Sequence, residues 1–128
     1  MSAARNKLLA KNRRLHKRIT VELEGGAVEM DLRKPSMGDR LRVLEDARTA
    51  GDVNEKNEPT SERAGVRLLA RIVSSVVFDT ETGRPLFGAA DLDSIVDETW
   101  LEDIREDVMG VFNVSMETAR GNSGATPS

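Results

Sequence analysis

Residues 18–35, RITVELEGGAVEMDLRKP, decide the fold of this chain. Apolar and polar residues alternate on both sides of Gly25-Gly26, and the apolar members are Ile19, Val21, Leu23, Val28, Met30 and Leu32. A period of two predicts strands with one apolar face, and glycine accepts the positive φ of a tight turn. We therefore predict an antiparallel β-hairpin over about 18–33. Its apolar face must pack on other elements, because a lone hairpin is marginally stable in water.

Two amphipathic helices are predicted after the hairpin. The first starts at Ser36, whose side chain and that of Asp39 fit a capping box. Its expected inward residues are Met37, Leu41, Leu44 and Ala47. The polar stretch 51–59, GDVNEKNEP, predicts a loop. The second helix starts after Thr60 or Ser61 and has the most apolar face, formed by Leu68, Leu69, Ile72, Val73, Val76 and Val77.

The segment 79–87, DTETGRPLF, predicts a turn at Gly83, after which Leu86 and Phe87 return to the core. A calcium-binding loop does not fit, because Gly83 and Ala90 do not fall where an EF-hand needs its glycine and its bidentate glutamate. Asp91 is expected to cap a short helix. Thr99 and Glu102 then fit a capping box that opens the last helix, with Trp100 packed at its start. The inward residues of that helix are Leu101, Ile104, Val108, Val111 and Phe112.

These elements predict one α+β domain over residues 18–120, with an N-terminal antiparallel hairpin packed against three to four helices. Residues 1–17 are expected to form a flexible basic arm. Residues 121–128, GNSGATPS, are small and polar and are expected to form a disordered tail. The most buried side chains are expected to be Leu69, Ile72, Val73, Val76, Ile104, Val108 and Phe112.

The composition argues against most enzyme chemistry. The chain has no cysteine and one histidine, so a thiolate zinc site, a cysteine nucleophile and a histidine-rich metal site are excluded. The single histidine, His16, lies in the arm and cannot hold a catalytic geometry. The only Gly-Gly pair lies in the hairpin, not in a phosphate-binding loop. We therefore predict no catalytic, cofactor-binding or metal-binding residues, no cofactor and no small-molecule substrate. No apolar run approaches the roughly 18 residues of a membrane span, so no membrane partner is expected.

The charges are distributed unevenly along the chain. Residues 1–18 carry seven basic and no acidic side chains, whereas residues 91–107 carry eight acidic side chains and one arginine. Opposite charges near the two ends favour association between copies, and the acidic stretch suits a basic partner. The alternative is a solvated tail and a solvated helix face. The candidate partner-binding residues are Arg13, Arg14, Lys17, Arg18, Glu102, Asp103, Glu106 and Asp107.

The order of elements resembles the tail assembly chaperones of long-tailed bacteriophages. The residues that carry the resemblance are the hairpin KRITVELEGGAVEMDLRKPS at 17–36, the segment DTETGRPLFGAADLDSIV at 79–96 and the last helix, which ends FNVS at 112–115. It covers roughly residues 17–116. The resemblance implies a non-catalytic chaperone in the host cytoplasm that is absent from the finished tail. Many members of the family have a second, longer form produced by a translational frameshift.

The same resemblance implies the partners. The protein would bind the tape-measure protein, keep it soluble and help recruit tail tube subunits. Coating a long client needs many copies, so together with the opposite charges near the two ends of the chain we also expect a homo-oligomer. A structural virion protein, such as a head–tail connector or minor tail protein, is the alternative. A mass-spectrometric inventory of purified particles separates a permanent component from a chaperone. A small nucleic-acid-binding module that uses the basic arm is the third possibility, although the acidic pI of about 5.3 and the 3% aromatic content argue against it.

We expect no sequence-specific nucleic-acid binding. Any weak binding through the arm should disappear at moderate salt, because binding through a few lysine and arginine contacts to phosphate weakens steeply as salt rises. Fluorescence anisotropy with DNA and RNA probes across a salt series measures this. Sub-micromolar binding to one sequence at physiological salt would favour the nucleic-acid-binding alternative instead.

Overall fold

A computed structural model describes the backbone of residues 2–124 and the side chains of residues 2–113. It contains three strands, β1 (Leu15–Leu23), β2 (Gly26–Arg33) and β3 (Val77–Phe78). The helices are α1 (Ala3–Leu8), α2 (Met37–Thr49), α3 (Glu62–Val76), α4 (Leu92–Val96) and α5 (Trp100–Gly124). A single 3-10 turn, Ala89–Asp91, precedes α4. Of the predicted tail over residues 121–128, residues 121–124 belong to α5, and residues 125–128 lie outside the described residues.

The predicted hairpin is confirmed and forms most of the sheet. β1 and β2 pair antiparallel, with Ile19 opposite Met30 and Val21 opposite Val28. Gly26 has a φ of +128°, which glycine adopts without the steric cost that a side chain would bring. β1 begins at Leu15, earlier than predicted, and has an irregular register between Leu15 and Lys17. The early start was not visible because residues 15–18 show no apolar alternation.

A third strand, which the sequence did not reveal, completes the sheet. β3 pairs antiparallel with β2, placing Leu32 opposite Val77 and Asp31 opposite Phe78, so the strand order is β1-β2-β3. β3 follows α3 without an intervening turn. A two-residue strand carries no periodicity of its own, so the sequence pattern predicts Val77 as a member of the helix.

The helices cover one face of the sheet. α3 contacts α2, α4, α5 and β2, and α5 also contacts β1 and β2, so α3 and α5 hold the core together. The buried side chains from the sheet and these two helices include Ile19, Met30, Leu32, Ile72, Val73, Val76, Ile104, Val108 and Phe112. The expected core residues are therefore confirmed except for Leu69, which is only partly buried against the core.

The predicted N-cap of α2 is confirmed, but the predicted inward face is only partly right: Ala47 is buried and Leu44 is half-buried, whereas Met37 and Leu41 point to solvent. Ser36 accepts a hydrogen bond from the Asp39 backbone, and the Asp39 side chain accepts one from the Ser36 backbone, completing the capping box. α2 buries Val43 and Ala47, whereas Met37 and Leu41 are exposed. Small side chains permit close packing of α2 on α3, and this rotates the larger Met37 and Leu41 outward.

The connections differ from the predictions in two places. The turn over 79–85 is confirmed, and Gly83 has a φ of +72°. Phe87 packs against the core, but Leu86 is exposed. Asp91 makes no side-chain cap for α4; its carboxylate instead accepts a hydrogen bond from the Gly88 backbone and closes the preceding 3-10 turn. Asp91 is the N-cap residue of α4 and also the last residue of the 3-10 turn, and its carboxylate is turned back toward Gly88 instead of toward the first turn of α4.

The polar loop after α2 is anchored to α3 by one buried carboxylate. Asp52 forms ion pairs with Arg67 at 3.3 Å and Arg71 at 3.2 Å, and its carbonyl oxygen accepts a hydrogen bond from the Thr60 backbone. Val53 and Pro59 form a β-bridge across the loop. Among the described helices, none is long and apolar enough to span a bilayer.

Ile72→Ala should lower the free energy of unfolding by roughly 2–5 kcal/mol, because it removes buried methyl groups and leaves a cavity at the centre of α3. Arg63→Ala, at an exposed position of the same helix, is the matched control and should change stability by no more than about 0.5 kcal/mol. Urea denaturation at neutral pH measures both. A near-neutral result for Ile72→Ala would contradict the core assignment.

Candidate functional site

The described residues contain no group of three or more histidine, cysteine, aspartate or glutamate side chains arranged to hold a metal ion. The features that remain as candidates are surfaces: the basic arm, the acidic side of α5 and two exposed apolar areas. Surfaces of this kind bind other macromolecules through burial of apolar area with a charged rim.

The candidate basic residues at the end of the arm are held against the domain. Arg13 forms a bidentate pair with Asp39, with its closer N–O distance at 2.6 Å, and its carbonyl oxygen accepts a hydrogen bond from Arg33. The Arg14 carbonyl oxygen accepts a hydrogen bond from the Lys34 backbone at 2.8 Å. These contacts fix the chain at the open end of the hairpin. The Arg14 side chain is exposed.

One contact joins the two oppositely charged regions within a single copy. Lys17 Nζ lies 2.6 Å from a carboxylate oxygen of Asp107. The pair is partly solvent-exposed, so it contributes no more than about 1 kcal/mol. Glu102, Asp103 and Glu106 project from α5 into solvent, and no ion pair forms at these three among the described side chains. The acidic side of α5 therefore remains accessible over its first turns.

Arg18 is engaged by a buried carboxylate in the neighbouring strand. Asp31 is 1% exposed and accepts two hydrogen bonds from the Arg18 guanidinium, the shorter at 2.6 Å. The Arg33 guanidinium lies 3.6 Å from the same carboxylate. The hydrogen bonds from Arg18 hold the pKa of Asp31 below its ordinary value, although burial acts in the opposite direction. The arginines therefore compensate for the burial of a charge between the strands.

The first exposed apolar area, the α2 stripe, consists of Met37, Leu41 and Leu44. Met37 is 68% exposed and Leu41 is 59% exposed, whereas Leu44 is half-buried. Residues three and four apart lie on the same side of a helix, so the three side chains form one continuous strip. The helical spacing of these residues predicts one apolar face, but it does not show whether that face packs on the core or lies on the surface.

The second area, the hairpin groove, lies where the apolar face of the sheet continues past the helices. Leu23 and Val28 lie on the same face as buried Val21 and Met30 but are exposed. Leu86, Phe87, Ile95 and Trp100 line the opposite side, and the groove has a volume of about 400 Å³. The rings of Phe87 and Trp100 stack with their centroids 5.7 Å apart. Trp100 thus packs at the start of α5, as predicted, and also lines this groove.

Sequence reasoning missed the hairpin groove. The alternating pattern marks Leu23 and Val28 as members of the apolar face. It does not indicate how far along the hairpin the helices extend.

Asp31→Asn should lower the free energy of unfolding by about 1.5–3 kcal/mol at pH 7, because it removes hydrogen bonds between charged groups. Because the folded-state pKa of Asp31 is lowered, its ionised carboxylate stabilises the fold to the full extent above the unfolded-state pKa of about 3.9. That contribution is lost as pH falls through the lower folded-state pKa. The difference between wild type and variant should therefore shrink below pH 4. Urea denaturation between pH 3 and pH 7 tests this, and a difference that is constant with pH would contradict it.

Comparison with known proteins gives a likeness in structure. No family model matches the sequence, and no curated protein matches it. The solved structure of the bacteriophage HK97 tail assembly chaperone superposes with a TM-score of 0.50 and 17% sequence identity, covering 85% of this chain and 98% of the HK97 chain. The arrangement of a hairpin and helices described above is therefore similar, over most of its length, to the fold of a bacteriophage tail assembly chaperone.

Proposed function

We propose that this protein is a non-catalytic phage tail assembly chaperone. It binds the tape-measure protein in the host cytoplasm, keeps it soluble, helps recruit tail tube subunits and leaves before the tail is complete. The observation that carries the proposal is the similarity in fold to the HK97 tail assembly chaperone. The exposed apolar areas of the folded domain support it, because a chaperone must offer an apolar surface to its client.

The α2 stripe is the surface that we assign to the client. Its exposed members are Met37, whose side chain is unbranched, and Leu41, whose side chain branches at Cγ. Both side chains are flexible and adapt to different apolar partners. An amphipathic client helix can lay its apolar side along such a strip while polar groups stay at the rim. Asp39 and Arg42, which pair with each other at 2.8 Å, supply polar groups beside it.

The charged candidate residues fit roles at the edge of the partner interfaces. Lys17 and Asp107 are exposed enough to exchange their mutual pair for pairs with a second chain. Arg14, Glu102, Asp103 and Glu106 are exposed and accessible to a partner. Arg13 and Arg18 hold Asp39 and Asp31, so we assign them chiefly to the stability of the domain. Charged rims orient partners and speed their encounter more than they add affinity.

Coexpression with the tape-measure protein tests the proposal. We expect the wild-type chain to keep the tape-measure protein in the soluble fraction. Met37→Glu/Leu41→Glu should leave most of it in the pellet, because two charges interrupt the apolar strip. The substituted positions are exposed, so the variant should fold as the wild type does, which circular dichroism checks. Thr49→Glu/Ala50→Glu is the matched control, since it introduces the same two charges at exposed positions at the end of α2.

The possible results separate the two parts of the proposal. If wild-type protein leaves the tape-measure protein in the pellet, the chaperone function is refuted. If Met37→Glu/Leu41→Glu solubilises it as well as wild type does, the chaperone function stands and the α2 stripe is not its binding surface.

A deletion that tests the arm should end at residue 12, because Arg13 binds Asp39 and residues 15–17 belong to β1.

A further inference from the structure

The N-terminal arm has an apolar end that its own domain does not cover. α1 has no buried residue, and Leu8 and Leu9 are 81% and 62% exposed. Three basic side chains, Arg5, Lys7 and Lys11, lie within four residues of this leucine pair. The arm therefore presents two adjacent large apolar side chains on a positively charged segment. Such a segment is expected to bind an apolar groove with an acidic rim.

The hairpin groove has that character. Its floor is formed by apolar side chains of the hairpin and by Phe87 and Trp100. Asp91 and Glu98 stand among the residues that line it, and the described residues of the lining include no basic side chain. The groove and the arm are therefore complementary in both apolar surface and charge.

The arm is too short to cover the exposed end of the groove in its own domain. The chain is fixed at Arg14, whose carbonyl oxygen accepts the hydrogen bond from Lys34 at the open end of the hairpin. Five residues from Leu9 to Arg14 span at most about 17 Å when fully extended. Along β1, Val21 lies about 23 Å and Leu23 about 30 Å beyond Arg14. Met30, which stands opposite Ile19 at the near end of the groove, lies about 17 Å along the strands from Arg14, whereas the exposed Val28 and Leu23 lie farther away, toward the turn. An arm can therefore cover Leu23 and Val28 only in another molecule.

We propose that Leu8 and Leu9 of one copy insert into the hairpin groove of a second copy, so that copies of this chain associate by donating their N-terminal arms. The leucines supply the apolar contact, and Arg5, Lys7 and Lys11 face the acidic rim that contains Asp91 and Glu98. Each copy has one arm and one groove, so two copies can exchange arms reciprocally or successive copies can join in a chain. This association does not depend on client binding and uses a surface separate from the α2 stripe.

Paired variants test the proposal by sedimentation velocity of the full-length protein over a concentration series without any client. We expect wild type to self-associate, and to do so less as salt is raised. Leu8→Gln/Leu9→Gln removes the donor side, and Leu23→Thr/Val28→Thr removes the acceptor side while retaining strand-forming residues. Each variant alone should self-associate roughly 10- to 100-fold more weakly than wild type, as expected for the loss of two apolar side chains from an interface.

An equimolar mixture of the two variants provides the decisive measurement. It retains one intact arm and one intact groove, so it should sediment as a 1:1 complex that neither variant forms alone. Leu86→Ser removes an apolar side chain from the opposite side of the groove and should weaken association without altering the hairpin. Matching thermal unfolding curves check that the variants are folded. A wild type that stays monomeric, variants that associate as wild type does, or a mixture that stays monomeric would overturn the proposal, whatever the outcome for the tape-measure protein.

Discussion

The structure depends on covering a two-stranded ribbon that is apolar on one face only. Ile19, Val21, Met30 and Leu32 become buried only when helices lie across them. A hairpin by itself does not bury enough apolar surface to remain folded, so its stability and that of the helices are linked. α3 and α5 provide the cover, while β3 extends the sheet on the β2 side. The uncovered end of the same face forms the hairpin groove. The groove is therefore a direct consequence of a hairpin that is longer than the helical layer packed on it.

Charge has two separate roles in this domain. Buried or half-buried carboxylates, at Asp31, Asp39 and Asp52, are each held by two arginines, and at least one arginine of each set lies on a different segment of the fold. Removing an arginine from such a pair leaves a buried carboxylate without an opposite charge, which is strongly destabilising. These pairs therefore favour the one arrangement of elements in which each carboxylate meets its arginines. The exposed acids of α5 and the basic residues of α1 do not have this role. They remain available to a partner and give the surface its opposite charges.

The sequence predicted those features that depend on local pattern. The alternation around Gly25-Gly26, the Ser36 and Asp39 capping box and the apolar face of α3 each arise from residues close together in the chain, and each was confirmed. Predictions failed where contacts between residues that are far apart in the sequence determine which side chains are buried. The apolar residues of α2 cover nearly half of its circumference, and only its contact with α3 determines that Val43 is buried while Leu41 is exposed.

The same limit applies to the candidate site. Residues 91–107 and 1–18 were recognisable as charged regions, but the engagement of Arg18 by Asp31 depends on strand pairing. The hairpin groove required knowledge of where the helices end relative to Leu23 and Val28. β3 was missed because its position against β2 follows from the end of α3 rather than from any repeat in the sequence.

The charged outer edge of β1 has a consequence for any extended chain that approaches the domain. β1 is an edge strand, and its unpaired backbone groups are a potential template for another extended chain. Two features obstruct another strand from pairing along this edge. The register is irregular between Leu15 and Lys17, and the charged side chains of Lys17, Arg18 and Glu22 are exposed. An extended segment of another chain therefore meets a surface that disfavours strand addition. The domain can expose apolar side chains on α2 and in the hairpin groove while the edge of its sheet resists pairing with another strand.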